Sequence, residues 1–302
     1  MGLYLKYRPK TLSEIEGNKE IVITLRGMFK KNEIPHSMLF HGPTGCGKTT
    51  LARIVANELG CAENNLIEID TAQFRGIDTI RDLRKNIQYT PLGGGIRVYI
   101  IDEVHKMTGD AQNAFLKILE DTPNHIYFIL CTTDPQSLLP TIKGRCSQFQ
   151  VQLLSDEDMK CLLTKIAEFE NDSIEDEIIE QITQDSQGHP RNALQILEQV
   201  LSTPKKRRLT IAQQAAIEQS ESIALCRALM KKQGWSEVKK ILQGLKGQDA
   251  EGIRRVVIGY ASSVLLNTDN AVAGLILEAF QEPTYNMGFP GIVLACYTVI
   301  KN

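Results

Sequence analysis

The spacing of apolar and polar positions changes near residue 153, and the change divides the chain. Before it, short apolar runs stand at 37–41 (SMLFH), 66–70 (LIEID), 97–102 (RVYIID), 126–132 (IYFILCT) and 148–152 (QFQVQ). Each is rich in β-branched and aromatic residues and has the length of a strand. Longer segments between them place apolar residues at helical spacing. In TTLARIVANELG, Leu51, Val55 and Leu59 fall on one face, and Gly60 supplies a stop. In DAQNAFLKILED, Ala111, Phe115, Ile118 and Leu119 do the same, with Pro123 just beyond. Strands alternating with such helices predict an α/β domain, a parallel sheet covered by helices on both faces.

After residue 153 the strand pattern stops. Residues 155–170, 173–188 and 189–202 read as three short amphipathic helices. Ser155 with Asp158 and Ser173 with Asp176 match helix-start signals. STPKKRRLT (202–210) reads as a solvated linker, with Pro204, four consecutive cations and no apolar anchor. From about 211 the pattern is helical again, with loops near KGQD, NTDN and QEPTYNMGFPG. The expected organisation is an α/β domain over 1–152, a small helical domain over 153–204 and an all-helical domain over 205–302.

Candidate chemistry follows the first strand. HGPTGCGKTT carries Gly42, Pro43, Thr44, Gly45, Cys46, Gly47, Lys48, Thr49 and Thr50 in a G-x-x-x-x-G-K-[ST] arrangement. Glycines let backbone N–H groups curl around phosphate oxygens without Cβ interference. Lys48 supplies a point charge to β- and γ-phosphates, and the Thr49 hydroxyl can ligate Mg²⁺. The helix starting near Thr49 aims its positive end at the same phosphates. VYIIDEVH then puts Asp102 and Glu103 just past an apolar strand. Acidic pairs are common in loops; behind a phosphate loop, Asp102 suits Mg²⁺ and Glu103 suits activation of a water. Thr132 and Thr133 end the next strand, either to meet the γ-phosphate or its water, or simply to lead into the Asp134-Pro135 turn. Taken alone, Arg145 in KGRC and Arg191 in GHPRNAL read as solvated surface cations.

Composition narrows the class without changing this picture. The net charge of −2 leaves any nucleic-acid contact to a local basic surface. Seven scattered cysteines form no C-x-x-C pair and no zinc spacing, so they read as reduced thiols in a cytoplasmic protein. MGLYLKYRPK lacks the apolar core of a signal peptide, and no apolar run approaches a membrane span, so no membrane partner is expected.

Together these motifs resemble the ATPase subunits of sliding-clamp loaders within the AAA+ superfamily. VYIIDEVHKMTGDAQNAFLKILEDTPNHIYFILCTTDPQSLLPTI is similar to bacterial DNA polymerase III gamma/tau subunits, while RGIDTIRDL and YLKYRPKTLSEIEGN look more like small subunits of replication factor C. The likeness is dense over residues 4–152, recognisable to about 200 and architectural beyond. It implies an AAA+ phosphate-loop domain, a helical lid and a helical collar that assembles an oligomer, pentameric in this family. It implies ATP and Mg²⁺ as ligands, and other loader subunits, a sliding clamp and primer–template DNA as partners at the replication site.

The resemblance also assigns roles. The family presents an Arg from a Ser-Arg-Cys motif to its neighbour's ATP; here Gly144-Arg145-Cys146 makes Arg145 the expected finger in trans. Arg191 becomes the second sensor of its own chain's γ-phosphate, and Thr133 takes the first-sensor place. Tyr7, Arg8 and Pro9 would line the adenine pocket. Arg75, Arg81, Lys106 and Thr108 are the expected DNA contacts. GCAENNLIEID runs straight into the next strand where gamma/tau subunits carry a four-cysteine module, so no zinc is expected. Alternatives are another AAA+ motor on DNA, of branch-migration type, or a non-hydrolysing scaffold subunit.

Overall fold

The computed structural model describes residues 2–72, 76–91, 94–212, 221–247, 250–268, 270–283 and 287–301, with the side chains of Ser263 and Asn267 excepted. Arg75 lies outside the described residues. The chain forms two compact units: residues up to Ser173 with Gly188–Gln195, and Ile174–Gln187 with Ile196 onward.

Five strands build the first unit: β1 (Ser37–His41), β2 (Leu66–Asp70), β3 (Arg97–Asp102), β4 (Ile126–Thr132) and β5 (Ser147–Gln150). Their order is β2-β3-β4-β1-β5 and every pairing is parallel. Because the strand period is two, the three inner strands β3, β4 and β1 feed both faces. Met38, Phe40, Val98, Ile100, Ile129 and Cys131 pack on one side, against α1 (Lys19–Lys31) and α2 (Lys48–Glu58). Leu39, Tyr99, Ile101, Phe128 and Leu130 pack on the other, against α3 (Ile77–Asn86) and α4 (Gly109–Glu120). Phe115 of α4 meets Phe128 edge-on, with ring centroids 5.4 Å apart. Each such fully buried side chain contributes about 1.5–3 kcal/mol. These are the strands and faces that the apolar pattern predicts.

Two local expectations are corrected. The last strand stops at Gln150 instead of reaching 152. The cause is a side chain: Asn18 accepts the Gln152 N–H at 2.8 Å and donates to the Gln152 carbonyl at 3.1 Å, so the backbone there is already satisfied. Ser155 does cap α5 (Asp156–Phe169), accepting the Asp158 N–H at 3.1 Å. Ser173 does not cap α6 (Asp176–Ser186), which starts after Glu175 with no side-chain cap. The Ser173 N–H bonds the Asp172 side chain instead.

Helices α6, the end of α7 (Pro190–Leu201), α8 (Glu221–Met230), α9 (Trp235–Gly244), α10 (Ala250–Asn267), α11 (Ala271–Ala279) and α12 (Phe289–Lys301) form the second unit. Leu225, Leu229, Val238, Leu242, Val257, Ile276, Phe280, Ile292 and Val299 are fully or nearly buried at its centre. The basic run is no free linker. Lys205–Arg207 make one 3-10 turn, and Arg208 is 5% exposed, donating from Nε to the Thr203 carbonyl at 3.1 Å as a helical segment begins.

Within this unit Asp185, 3% exposed, pairs with Arg227 and accepts from Gln181 at 2.8 Å. Removing one member of a buried pair strands the other, at a cost of about 3–5 kcal/mol. Arg227→Met is therefore expected to lower unfolding free energy by that amount in denaturant titration, with the Asp185→Leu/Arg227→Met double variant recovering most of it. A loss under about 1 kcal/mol in the single variant would mean that water already solvates the pair.

Candidate nucleotide site

All five strands run the same way, so their C-terminal ends share one rim. His41 stands beside Thr132 and Asp70 beside Asp102 in the register. From β1 the chain crosses to the far edge of the sheet to make β2, and a crevice at such a reversal is where open α/β sheets bind ligands.

The phosphate loop fills that place, between β1 and α2. Gly42 (φ 154°), Gly45 (75°) and Gly47 (104°) take positive φ. Gly42 has a second constraint, since a Cβ there would lie 2.0 Å from the Val151 carbonyl oxygen. Its N–H donates to the Thr132 carbonyl at 3.2 Å, tying the loop to β4. Lys48 is 6% exposed, and Nζ donates to the Gly42 and Pro43 carbonyls at 2.9 and 2.7 Å. A buried ammonium on loop carbonyls is held at the loop's centre, where phosphate oxygens outcompete neutral acceptors. Burial pushes the Cys46 thiol up, so it stays an uncharged wall of the loop.

The acidic pair meets this loop. Thr49 Oγ1 donates to Asp102 Oδ2 at 2.8 Å, so the two expected Mg²⁺ ligands are adjacent oxygen donors. Glu103 adopts the left-handed conformation (φ 52°), which turns its side chain off the strand line. Thr71 pins that turn: its hydroxyl donates to the Glu103 carbonyl at 2.6 Å and lies 3.0 Å from the Asp102 carbonyl. Thr133 Oγ1 donates to Glu103 Oε2 at 3.4 Å. Thr132 faces elsewhere, with its Oγ1 2.9 Å from His105 Nδ1, which separates the two threonines that the sequence left equivalent.

A cleft of about 340 Å³ opens over the loop, within the first unit. Its lining includes Tyr7, Arg8, Pro9, Thr44–Leu51, Asp102, Glu103 and Arg191, with Leu154, Leu162 and Leu194 as apolar wall. Arg8 Nε donates to Thr50 Oγ1 at 3.0 Å; burial first, then repulsion from Arg53, holds its guanidinium below the usual range. Tyr7 stacks on Phe169 with ring centroids 5.8 Å apart. Arg8, Lys48 and Arg191 give the cleft three cations for a polyphosphate, beside four carboxylates, Glu14, Glu16, Asp102 and Glu103. Arg145 does not line it. Its guanidinium pairs with Glu120 Oε1 at 2.5 Å and donates to the Thr141 carbonyl at 3.2 Å. Burial pushes the neighbouring Cys146 thiol up to about 12.

Of the expected DNA contacts, Lys106 and Thr108 are exposed, and Thr108 caps α4 by accepting the Ala111 N–H. Arg81 pairs with Asp78 at 3.0 Å. It also lines a cleft of about 320 Å³ with Arg84, Lys117, Asp110 and Asn113 of α3 and α4. Arg84, Lys117, Thr71 and His105 were not singled out by the motifs. The two cations and His105 are visible in the sequence only as ordinary polar positions, and Thr71 as the residue after a strand.

A family model described as "DNA polymerase III, delta subunit" matches residues 65–155. The chain is 35% identical over 225 residues to "DNA polymerase III subunit gamma/tau" of Mycobacterium tuberculosis, covering 67% of this chain and 39% of that protein. It is 32% identical over 253 residues to "DNA polymerase III subunit tau" of Escherichia coli, covering 76% and 39%. The chain thus spans about two fifths of the length of these relatives. Among solved structures it is similar to the Thermotoga maritima RuvB Holliday junction branch migration motor, with a TM-score of 0.60 at 21% identity over 74% of this chain and 80% of that one. A point mutant of the same protein gives a TM-score of 0.64 at 20% identity, over 85% and 91%. At such identity the likeness establishes the fold alone: an α/β domain followed by helices. The matched sequences show that this chain belongs to the family of the gamma/tau subunits of DNA polymerase III.

Proposed function

We propose that this chain is an ATPase subunit of a sliding-clamp loader. One observation carries the reading: Lys48, Thr49, Asp102, Glu103 and Thr133 converge on one strand-end rim under a cleft that Arg8 and Arg191 also line. The backbone of Gly42–Thr50 cradles the phosphates, Tyr7, Arg8 and Pro9 receive the base, and Arg191 reaches the γ-phosphate. Thr49 and Asp102 would hold Mg²⁺, which when bound neutralises charge between the β- and γ-phosphates. Glu103 takes the proton of the attacking water, and Thr133 orients that carboxylate. Arg145 serves the ATP of an adjacent subunit.

In this reading residues 1–152 are the ATPase domain, 153–204 the lid and 205–302 the collar of a pentameric assembly. ATP binding drives assembly and clamp opening, and hydrolysis releases the closed clamp on primer–template DNA at the cytoplasmic replication site. Arg81, Lys106 and the α4 start at Thr108, with Arg84 and Lys117, supply phosphate contacts, which position without reading sequence. The second reading is a branch-migration motor, favoured by the fold likeness to RuvB. A scaffold role is disfavoured by the full set of loop and acidic residues. Among the described residues no helix is long and apolar enough to cross a membrane.

The test is steady-state ATP turnover across protein concentration, with and without primed DNA, with Lys48→Ala as control. Turnover rising with concentration and with primed DNA, and absent in Lys48→Ala, is the expected result. Directional strand movement on a four-way junction, without response to primer ends, would favour the motor. Nucleotide binding with no turnover, in the presence of clamp and co-subunits, would favour the scaffold.

A further inference from the structure

His105 stands beside the acidic pair with no role yet. It sits in a single 3-10 turn, Val104–Lys106, and its side chain is 9% exposed. Its two ring nitrogens meet different partners. Nδ1 lies 2.9 Å from Thr132 Oγ1, and Nε2 lies 3.4 Å from Glu103 Oε2.

Thr132 settles which nitrogen carries the proton. It is fully buried, and its Oγ1 already accepts the Asp134 N–H at 3.0 Å. Among the described residues the acceptor in reach of its hydroxyl proton is His105 Nδ1. A buried hydroxyl donates where an acceptor is present, because an unpaired polar hydrogen costs about 1–3 kcal/mol. With Nδ1 accepting, the neutral ring is the Nε2–H tautomer, and that N–H is the one nearest the Glu103 carboxylate. Thr133 approaches the same oxygen, Oε2, also at 3.4 Å. The Thr133 bond is long and the His105 Nε2 approach is a polar contact rather than a formed hydrogen bond, as catalytic contacts are before substrate engages. One bonded donor, Thr133, and one nearby ring nitrogen, His105 Nε2, thus face the same carboxylate oxygen, while Oε1 takes no protein donor among the described residues and is left for the water's proton.

We propose that His105 is a positioning residue: its Nε2–H holds Glu103 in the orientation from which the carboxylate activates water, and Thr132 fixes the ring. This rests on the reading of Glu103 as the base. The chain of contacts runs Asp134 N–H to Thr132, Thr132 to His105, His105 to Glu103.

Amide substitutions separate the two ring atoms. Gln at position 105 can place an N–H near the site of Nε2, whereas Asn reaches only the site of Nδ1. Turnover and nucleotide affinity would be measured for wild type, His105→Ala, His105→Asn and His105→Gln with the same co-subunits and primed DNA. The expected result is a kcat lower by up to about 10²-fold in the Ala and Asn variants, the scale of a misplaced catalytic group. Nucleotide affinity stays unchanged, and the Gln variant recovers most of the rate. Equal kcat in all four, affinity falling in step with kcat, or Asn outperforming Gln would overturn the proposal. Nitrogen NMR of the histidine-labelled chain decides the contact without hydrolysis. The five histidines are few enough to assign His105 by its loss in His105→Gln. Its Nε2 should carry the proton and shift in Glu103→Ala; an Nδ1–H tautomer, or an unmoved resonance, would overturn the proposal. A wild type that turns over no ATP while keeping this contact would instead remove the hydrolysis reading.

Discussion

Replacing Glu103 by Gln should slow ATP turnover by about 10²- to 10⁴-fold, the range that a positioned general base supplies. The substitution keeps the volume, the left-handed turn and an oxygen for Thr133 to bond. It removes only the capacity to take a proton. Lys48, Thr49 and Asp102 are untouched, so nucleotide affinity should not change, and ATP-driven assembly should persist or lengthen in lifetime. Single-turnover hydrolysis beside a fluorescent-nucleotide titration separates the two quantities. A Gln variant as fast as wild type would mean that the carboxylate does not act as base, and the scaffold reading would gain directly.

The aim of the Glu103 carboxylate depends on how firmly its backbone is set. A non-glycine residue in the left-handed region is disfavoured by sterics and persists where its surroundings dictate it. Thr71 does so here, with one hydroxyl near the Asp102 and Glu103 carbonyls and its own N–H on the Asp102 carbonyl at 3.1 Å. The β2–β3 pairing therefore continues past Asp70 through the Thr71 backbone N–H and hydroxyl, and it ends by turning Glu103 into the cleft. Strand pairing and catalytic geometry are one feature at this rim.

Much of this was legible before any coordinates. The strand runs were readable because a parallel strand buried on both faces must be apolar throughout, and its polar tip marks the functional edge. The phosphate loop was readable because its glycines, lysine and threonine each answer a separate demand. His105 was not, since a histidine two residues past an acidic pair has no preferred partner until β4 brings Thr132 beside it. Ser173 misled because a Ser-x-x-Asp pattern scores the same wherever the chain happens to start its helix, and the Asp172 carboxylate took the Ser173 N–H first. Arg208 misled for a similar reason: four cations in a row look solvated, yet a helix start can bury one and leave three in water.

Arg145 carries the largest expected effect. Arg145→Ala should lower turnover by about 10³- to 10⁵-fold, the range for an arginine finger, with nucleotide affinity of the variant's own cleft unchanged because Arg145 does not line that cleft. The Glu120 pair does not stand in the way. Both side chains are over a third exposed, and ion pairs of that kind hold about 0–1 kcal/mol. A finger's rate factor corresponds to about 4–7 kcal/mol at 1.36 kcal/mol per decade. In the proposed finger role, transition-state charge on a neighbour's phosphate would outweigh Glu120 several-fold, so the pair would not hold the guanidinium back. Mixing separates action in cis from action in trans. Neither Arg145→Ala nor Lys48→Ala should turn over ATP alone. A mixed assembly sets the intact Arg145 of a Lys48→Ala chain against the intact cleft of an Arg145→Ala chain, and turnover should return. Should the mixture assemble and stay silent, Arg145 does not cross the subunit boundary, and the hydrolytic unit is the single chain.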